Sequence, residues 1–324
     1  MEDRLAGFTE ERDRQIRVFL PTLHARVLAA MARGQRFVHY TNAAAAAALI
    51  RSGELWLRST QCMNDFSEVR HGLDLLERAY RGRDGQRLMR FLEAIYPGFH
   101  AEATERLEAL AETVAHSTYV ACVSEHDPAE DGIGRLSMWR AYAGGIGIAL
   151  VIDGAPLIGP GSDDLGVFAG PVEYAGRKGF HERFARFVDG LVAEGEYVAA
   201  LGRERACSAL VGSYHFAALS TKHPGFAEER EWRMAFTPSL QPAMDVTRTV
   251  EVVRGEPQVV YRLPLRARRG PAGASTALAD ILRAVIVGPC ETPRAVGDAL
   301  VELLAGAGIA DPERLVRISD IPIR

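Results

Sequence analysis

The stretch from Phe37 to Ser59 limits the fold more than any other part of the chain. Phe37-Val38-His39-Tyr40-Thr41 reads as a short strand, with Phe37, His39 and Thr41 on one face and Val38 and Tyr40 on the other. Asn42 suits the N-cap of the alanine-rich run that follows, because its side-chain oxygen can accept from a first-turn N–H. Gly53 suits the left-handed C-cap, and Leu55-Trp56-Leu57-Arg58-Ser59 reads as a second strand. Strand, helix and strand within about 25 residues is close to the minimum for such a crossover.

Around this unit the pattern is irregular. Thr9 to Arg33 carries apolar residues at helical spacing, with Pro21 expected to kink or split the helix and Gly34 to end it. Asp65 and Glu68 have capping-box spacing at the start of a helical stretch from about Phe66 to Ile95, interrupted near Gly82 and Gly85. Further helices are expected at about 102–114, about 137–143, about 180–219 (one long helix) and about 293–306. Strands are expected at about 118–124, about 146–152, about 172–174 and about 230–236, then at about 250–253, about 259–263, about 284–287 and about 315–319. This order, without repeats, predicts an α+β fold with a mixed, largely antiparallel central sheet and inserted helices. The organisation read from it is an N-terminal helical segment (1–34) and a main domain (35–324) with helical insertions at about 66–114 and about 180–219.

With 48% hydrophobic and 25% charged residues among 324, the chain has ample material for a core. A net charge of −4 gives no global attraction to nucleic acids or acidic membranes, so neither is expected as a general partner. The longest apolar run, Ala43 to Ile50, is far short of the roughly 20 residues that cross a bilayer. Met1-Glu2-Asp3-Arg4 lacks the pattern of a signal peptide, and a cytoplasmic location is expected. Cys62, Cys122, Cys207 and Cys290 have no CxxC spacing, so neither a zinc site nor a disulfide framework follows. Only Lys178 and Lys222 are lysines in a chain that otherwise uses arginine, which singles them out weakly.

The usual catalytic motifs are missing. Gly144-Gly145-Ile146-Gly147 lacks GxGxxG spacing and precedes its strand, so it reads as a helix C-cap and turn. There is no P-loop, HExxH or GxSxG. What remains is an ordered set of short segments: His39-Tyr40-Thr41, Leu55-Trp56-Leu57 before Ser59 and Asn64-Asp65, Ala121-Cys122-Val123-Ser124, Met138-Trp139 with Tyr142, Lys222, Glu229-Arg230-Glu231-Trp232-Arg233, and Val287-Gly288-Pro289. Together they resemble the DUF2971 family, an uncharacterised domain, over roughly 85–90% of the chain. Phe66 stands where that family usually has Pro, and Val123 where it has Phe.

A more distant likeness concerns chemistry. His39 on a first strand, Ser59 at the end of a second, and Glu229-Arg230-Glu231 opening a late strand are similar in order to the ADP-ribosyltransferase fold. That resemblance implies NAD as substrate, used by a transferase or glycohydrolase of toxin or defence type, with an unidentified macromolecular acceptor and no metal. It makes Glu231 the catalytic carboxylate, Glu229 its partner and His39 a catalytic and nucleotide-contacting residue. Tyr40, Thr41, Ser59 and Tyr142 become nucleotide contacts, and Lys222 or Arg233 phosphate ligands. Cleavage of the nicotinamide–ribose bond passes through an oxocarbenium-like state that a fixed carboxylate can stabilise. Alternation puts Glu229, Glu231 and Arg233 on one face of their strand, so that two carboxylates and a cation share a site.

Each residue also has a structural alternative. His39 can be a satisfied core histidine, Ser59 a turn residue, and Asn64, Asp65 and Glu68 a helix start. Trp56 and Trp232 fit a core, and Glu229, Glu231 and Arg233 an exposed charged ladder. The rival functions are a non-catalytic nucleotide- or protein-binding module and a hydrolase using Glu229 and Glu231 as a carboxylate pair.

Overall fold

The computed structural model describes residues 10–62, 66–159, 167–240, 245–253, 255–267 and 275–322. Asn64 and the capping box read at Asp65 and Glu68 lie outside the described residues and side chains. Two helices come first, Glu10–Phe19 (α1) and Pro21–Ala32 (α2). Pro21 takes the first turn of α2, where its missing N–H is no loss, so the proline separates two helices. Arg36–Asn42 (β1), Ala43–Ser52 (α3) and Glu54–Ser59 (β2) follow. Asn42 Oδ1 accepts from the Ala45 N–H at 2.9 Å, and Gly53, at φ 63, closes the helix by donating to Leu49 O.

Phe66–Arg81 (α4), Arg83–Ile95 (α5) and Phe99–His116 (α6) lead into Tyr119–His126 (β3). Leu136–Tyr142 (α7), Gly147–Asp153 (β4), Ala155–Ile158 (α8), Phe168–Pro171 (β5) and Glu173–Tyr174 (β6) come next. The single long helix expected at about 180–219 is instead three: Arg177–Ala193 (α9), Gly195–Leu201 (α10) and Arg203–Ser220 (α11). The sharper break is at Gly202, whose φ of 80 and ψ of 153 lie in a region essentially closed to other residues. Thr221–Lys222 (β7), Glu231–Phe236 (β8), Thr247–Val253 (β9), Glu256–Pro264 (β10), Leu278–Ile281 (α12), Leu282–Val287 (β11), Pro293–Gly306 (α13), Pro312–Leu315 (α14) and Val316–Ile318 (β12) complete the chain.

Ten strands join in one sheet, ordered β12-β11-β4-β1-β3-β2-β10-β9, with β8 paired to β3 and β5 to β8. Among the described residues its only parallel pair is β11–β12, so the fold is α+β with a mixed, mostly antiparallel open sheet. β6 and β7 form a separate parallel pair. β3 is the hub. One edge pairs with β8 along Tyr119–Ser124. The other edge carries two strands end to end, β2 at Tyr119 and Val120 and β1 at Ser124–His126. Between these ladders, Ala121 to Val123 is in register with neither, and the sheet opens.

The sheet is covered on both faces. One core joins Leu57, Val123, Trp232 and Met234 of the strands to α2, α3, α12 and α13. On the opposite face, α4–α6 and α9–α11 form a helical layer with its own core against Val120 and Ala235. The N-terminal segment ties the two together, since Phe19 of α1 enters the helical core and Leu23 and Val27 of α2 enter the first. A smaller cluster places Met138 and Trp139 of α7 over Val38 and Tyr40 of β1 and strands β4 and β11.

Helix α4 crosses α11 at Gly72, where an added Cβ would stand 2.3 Å from Ala218 O. Gly212, midway along α11, has nothing within 4 Å of that position. The same substitution therefore has opposite effects. Gly72→Ala is expected to destabilise by about 1–3 kcal/mol through overpacking, and Gly212→Ala to stabilise by about 0.5–1 kcal/mol through helix propensity. Urea unfolding of the two variants checks both signs.

Candidate functional site

The opening beside β3 coincides with a gap in the cover. On the face opposite the Phe37–Trp232 contact, α7 covers β1 and the helical layer covers β3 and β8. Where the sheet parts lies a cleft of about 290 Å³, lined by residues of both sheet faces. His39 and Thr41 of β1, Trp56 and Arg58 of β2, and Met138 and Tyr142 of α7 line it. Glu229 and Glu231 close one end, and Ala44, Ala45 and Ala48 of α3 contribute small side chains that keep it open.

His39 sits where the β1–β3 ladder stops. The last aligned pair is Val38 with Ser124, and the carbonyl of Cys122, two residues away along β3, is taken by the imidazole with Nδ1 at 2.9 Å. A carbonyl only accepts, so Nδ1 carries the hydrogen and donates it. Burial pushes the pKa of His39 below its ordinary value, partly opposed by this hydrogen bond. The ring is then neutral near pH 7, and its Nε2 is a bare acceptor.

At the acidic end, Glu231 opens β8 and is 3% exposed. Arg233 Nε donates to its Oε1 at 2.6 Å, and Lys222 Nζ to its Oε2 at 3.1 Å. The same ammonium donates to Glu229 Oε2 at 2.6 Å, so one buried lysine serves two carboxylates. It also lies 4.7 Å from the centre of the Phe226 ring. Arg233 is anchored in turn on Leu219 O, at 2.8 Å. Burial alone pushes the pKa of Glu231 up. The charges of Arg233 and Lys222, with hydrogen bonds from Arg233 and the Cys122 thiol, more than offset this and hold it down at about 2.

The backbone that makes this pair of carboxylates differs from the alternating strand expected. Glu229 ends a 3₁₀ turn, Pro224–Glu229, and Arg230 is left-handed at φ 45, so β8 begins only at Glu231. The reversal through Arg230 still brings both carboxylates to Lys222. Lys222 is itself fixed by the β6–β7 pair, in which Tyr174 lies beside it in register. The Tyr174 hydroxyl accepts the Glu231 N–H at 2.8 Å, and burial raises that phenol's pKa, keeping it neutral.

Arg135 is a supporting residue that sequence reading did not single out. It is 7% exposed and donates to Glu228 O at 2.7 Å, Glu229 O at 3.3 Å and Glu125 O at 2.6 Å, while its Nε lies 3.1 Å from Glu130 Oε1. It pins the turn that presents Glu229. The one hint in the sequence is its place just before Leu136-Ser137-Met138-Trp139.

The expected site residues fall into two groups. His39, Tyr40, Thr41, Tyr142, Glu229 and Glu231 all line the cleft. Tyr40 does so as packed wall, since it is 6% exposed, its ring meets Trp139 edge-on at 4.8 Å, and its hydroxyl accepts the Arg135 N–H. Ser59 does not reach the cleft. Its Oγ accepts the Gln61 N–H at 3.3 Å, at the turn that follows β2. Lys222 and Arg233 are buried and engaged by the carboxylates. The cation that lines the cleft is Arg58, which also donates to Gln258 at 3.0 Å.

A family model described as a protein of unknown function, DUF2971, matches residues 138–234. No curated protein and no solved structure matches the chain. The DUF2971 match runs from α7 to β8. It therefore includes Tyr142, Lys222, Glu229, Glu231 and Arg233, while the β1-α3-β2 unit with His39 and Arg58 lies outside it.

Two outcomes follow from the buried charges. Lys222→Met leaves Glu229 and Glu231 together without their shared cation, and is expected to cost about 3–5 kcal/mol in chemical denaturation. Glu231 has a folded pKa of about 2 against an ordinary 4.5, so its stabilisation is complete above 4.5 and is lost as the pH falls toward 2. Unfolding measured across that window should show a steep loss in wild type and a shallower one in Glu231→Gln.

Proposed function

We propose that the cleft binds the nicotinamide–ribose end of NAD, and that the chain is an ADP-ribosyltransferase-like enzyme passing ADP-ribose to an acceptor or to water. The observation that carries this reading is the meeting of a neutral His39 and an ionised Glu231 in one cleft at the opening of the sheet. Glu231, kept as a carboxylate by Arg233 and Lys222, stabilises positive charge developing on the ribose and acts electrostatically, since a group with so low a pKa is a poor proton donor near neutral pH. Bare Nε2 of His39 accepts from a ribose hydroxyl, Tyr142 flanks the base, and Arg58 attracts the phosphates. At about 290 Å³ the cleft is near the lower limit for small-molecule sites, enough for the nicotinamide–ribose end, with the adenylate running outward past Arg58.

A second reading, a binding module without turnover, is favoured by one observation. Both oxygens of Glu231 already accept from Arg233 or Lys222, which leaves them less to offer a substrate. Incubation of purified protein with NAD separates the two. The enzyme reading expects nicotinamide release or label transfer, reduced by at least about 10²-fold in Glu231→Gln, and a raised KM in Arg58→Ala. Stabilisation by NAD without product supports the binding module, and identical release by wild type and Glu231→Gln rejects the catalytic role.

A further inference from the structure

A second cavity, of about 630 Å³, lies between the α1–α2 junction, α4, α9 and α11. Its wall is aromatic: Tyr80, Phe180, Phe184, Phe187, Tyr214 and Phe216. Tyr80 lies 5.1 Å from Phe184 and 5.5 Å from Tyr214, ring centre to ring centre, so the rings brace one another rather than collapsing inward. Burial raises the pKa of both phenols, Tyr214 to about 12, so they remain neutral hydroxyls.

The charged groups on this cavity are unbalanced. Among the described residues, Arg26, Arg183 and Arg186 line it with a single carboxylate, Glu173. Arg183 is paired with Glu173 at 2.7 Å, while Arg26 is drawn to Glu125, outside the lining. Arg186, one helical turn from Arg183, has no ion-pair partner among the described residues. Burial lowers the pKa of Arg183, against the raising effect of Glu173, and the charge of Arg186 adds a smaller push in the same downward direction. A polar atom is also unsatisfied here: Ser220 lines the cavity, is 4% exposed, and its Oγ has no hydrogen-bond partner. An apolar chamber with surplus positive charge and an orphan hydroxyl is suited to a molecule with an apolar body and one anionic head.

We propose that this cavity is a second ligand site, independent of the cleft, for a small amphipathic anion whose apolar body lies on the aromatic wall and whose carboxylate or phosphate meets Arg183 and Arg186. The cavity touches the cleft's supports from behind, because Glu173 and Thr221, paired in register, line it while their neighbours Tyr174 and Lys222 hold Glu231.

Calorimetric titration of the full chain with dodecanoate, dodecyl phosphate and dodecanol tests the site, with each probe below its aggregation limit. Saturable binding of either anion at one equivalent is expected, with dodecanol and the Arg186→Glu variant each weaker by at least about tenfold. Arg186 is exposed, so that variant should fold normally, and Arg58→Ala should bind as wild type does. The proposal is overturned by an absence of saturable binding, by equal affinity for anion and alcohol, by wild-type affinity in Arg186→Glu, or by loss of binding in Arg58→Ala.

Discussion

The acidic end of the cleft depends on one ammonium group. Lys222 is fully buried, and a charge in that position is tolerable only with close partners of opposite sign. It has two, Glu229 and Glu231, and Arg233 supplies a second positive charge to balance the pair. Four formal charges thus cancel at the cleft wall. Because each group holds the others in place, the carboxylates keep a fixed position at the cleft wall without the reorganisation that free side chains would require.

The location of this cluster follows from the sheet. β3 pairs with β8 along one edge but shares its other edge between β1 and β2, which leaves an interval around Cys122. His39 fills part of that interval by taking the Cys122 carbonyl, and the Cys122 thiol reaches across to Glu231. One residue of the hub strand therefore links the imidazole on one side to the carboxylate on the other. Local interruption of a ladder is costly unless the freed groups find partners, and here the partners are the side chains that give the cleft its chemistry.

Several parts of this arrangement were legible in the sequence. The β1-α3-β2 unit is specified by local signals, an Asn at one helix end and a Gly at the other, that act within a few residues. The pairing of Glu229 with Glu231 was also visible, although strand alternation was the wrong mechanism: a left-handed Arg230 joins a 3₁₀ turn to the strand. The choice between Arg58 and Ser59 was beyond local reading. Which positions of β2 reach the cleft depends on how β1 and β2 part around β3, and that is decided by contacts far along the chain. The breaks at Gly195 and Gly202 escaped for a related reason, since an isolated glycine within helical periodicity is compatible with a continuous helix. Lys222 stood out as a rare lysine within the motif set, but its burial between two carboxylates follows from the β6–β7 pair, which no local signal announces.

The measurement closest to the central claim is nitrogen NMR of the His39 imidazole during titration with NAD. The expected result is a neutral ring protonated on Nδ1 near pH 7, with the Nε2 resonance shifting as NAD saturates the cleft. A His39 that is already charged at that pH, or an Nε2 resonance that stays unchanged while NAD binds, would contradict it.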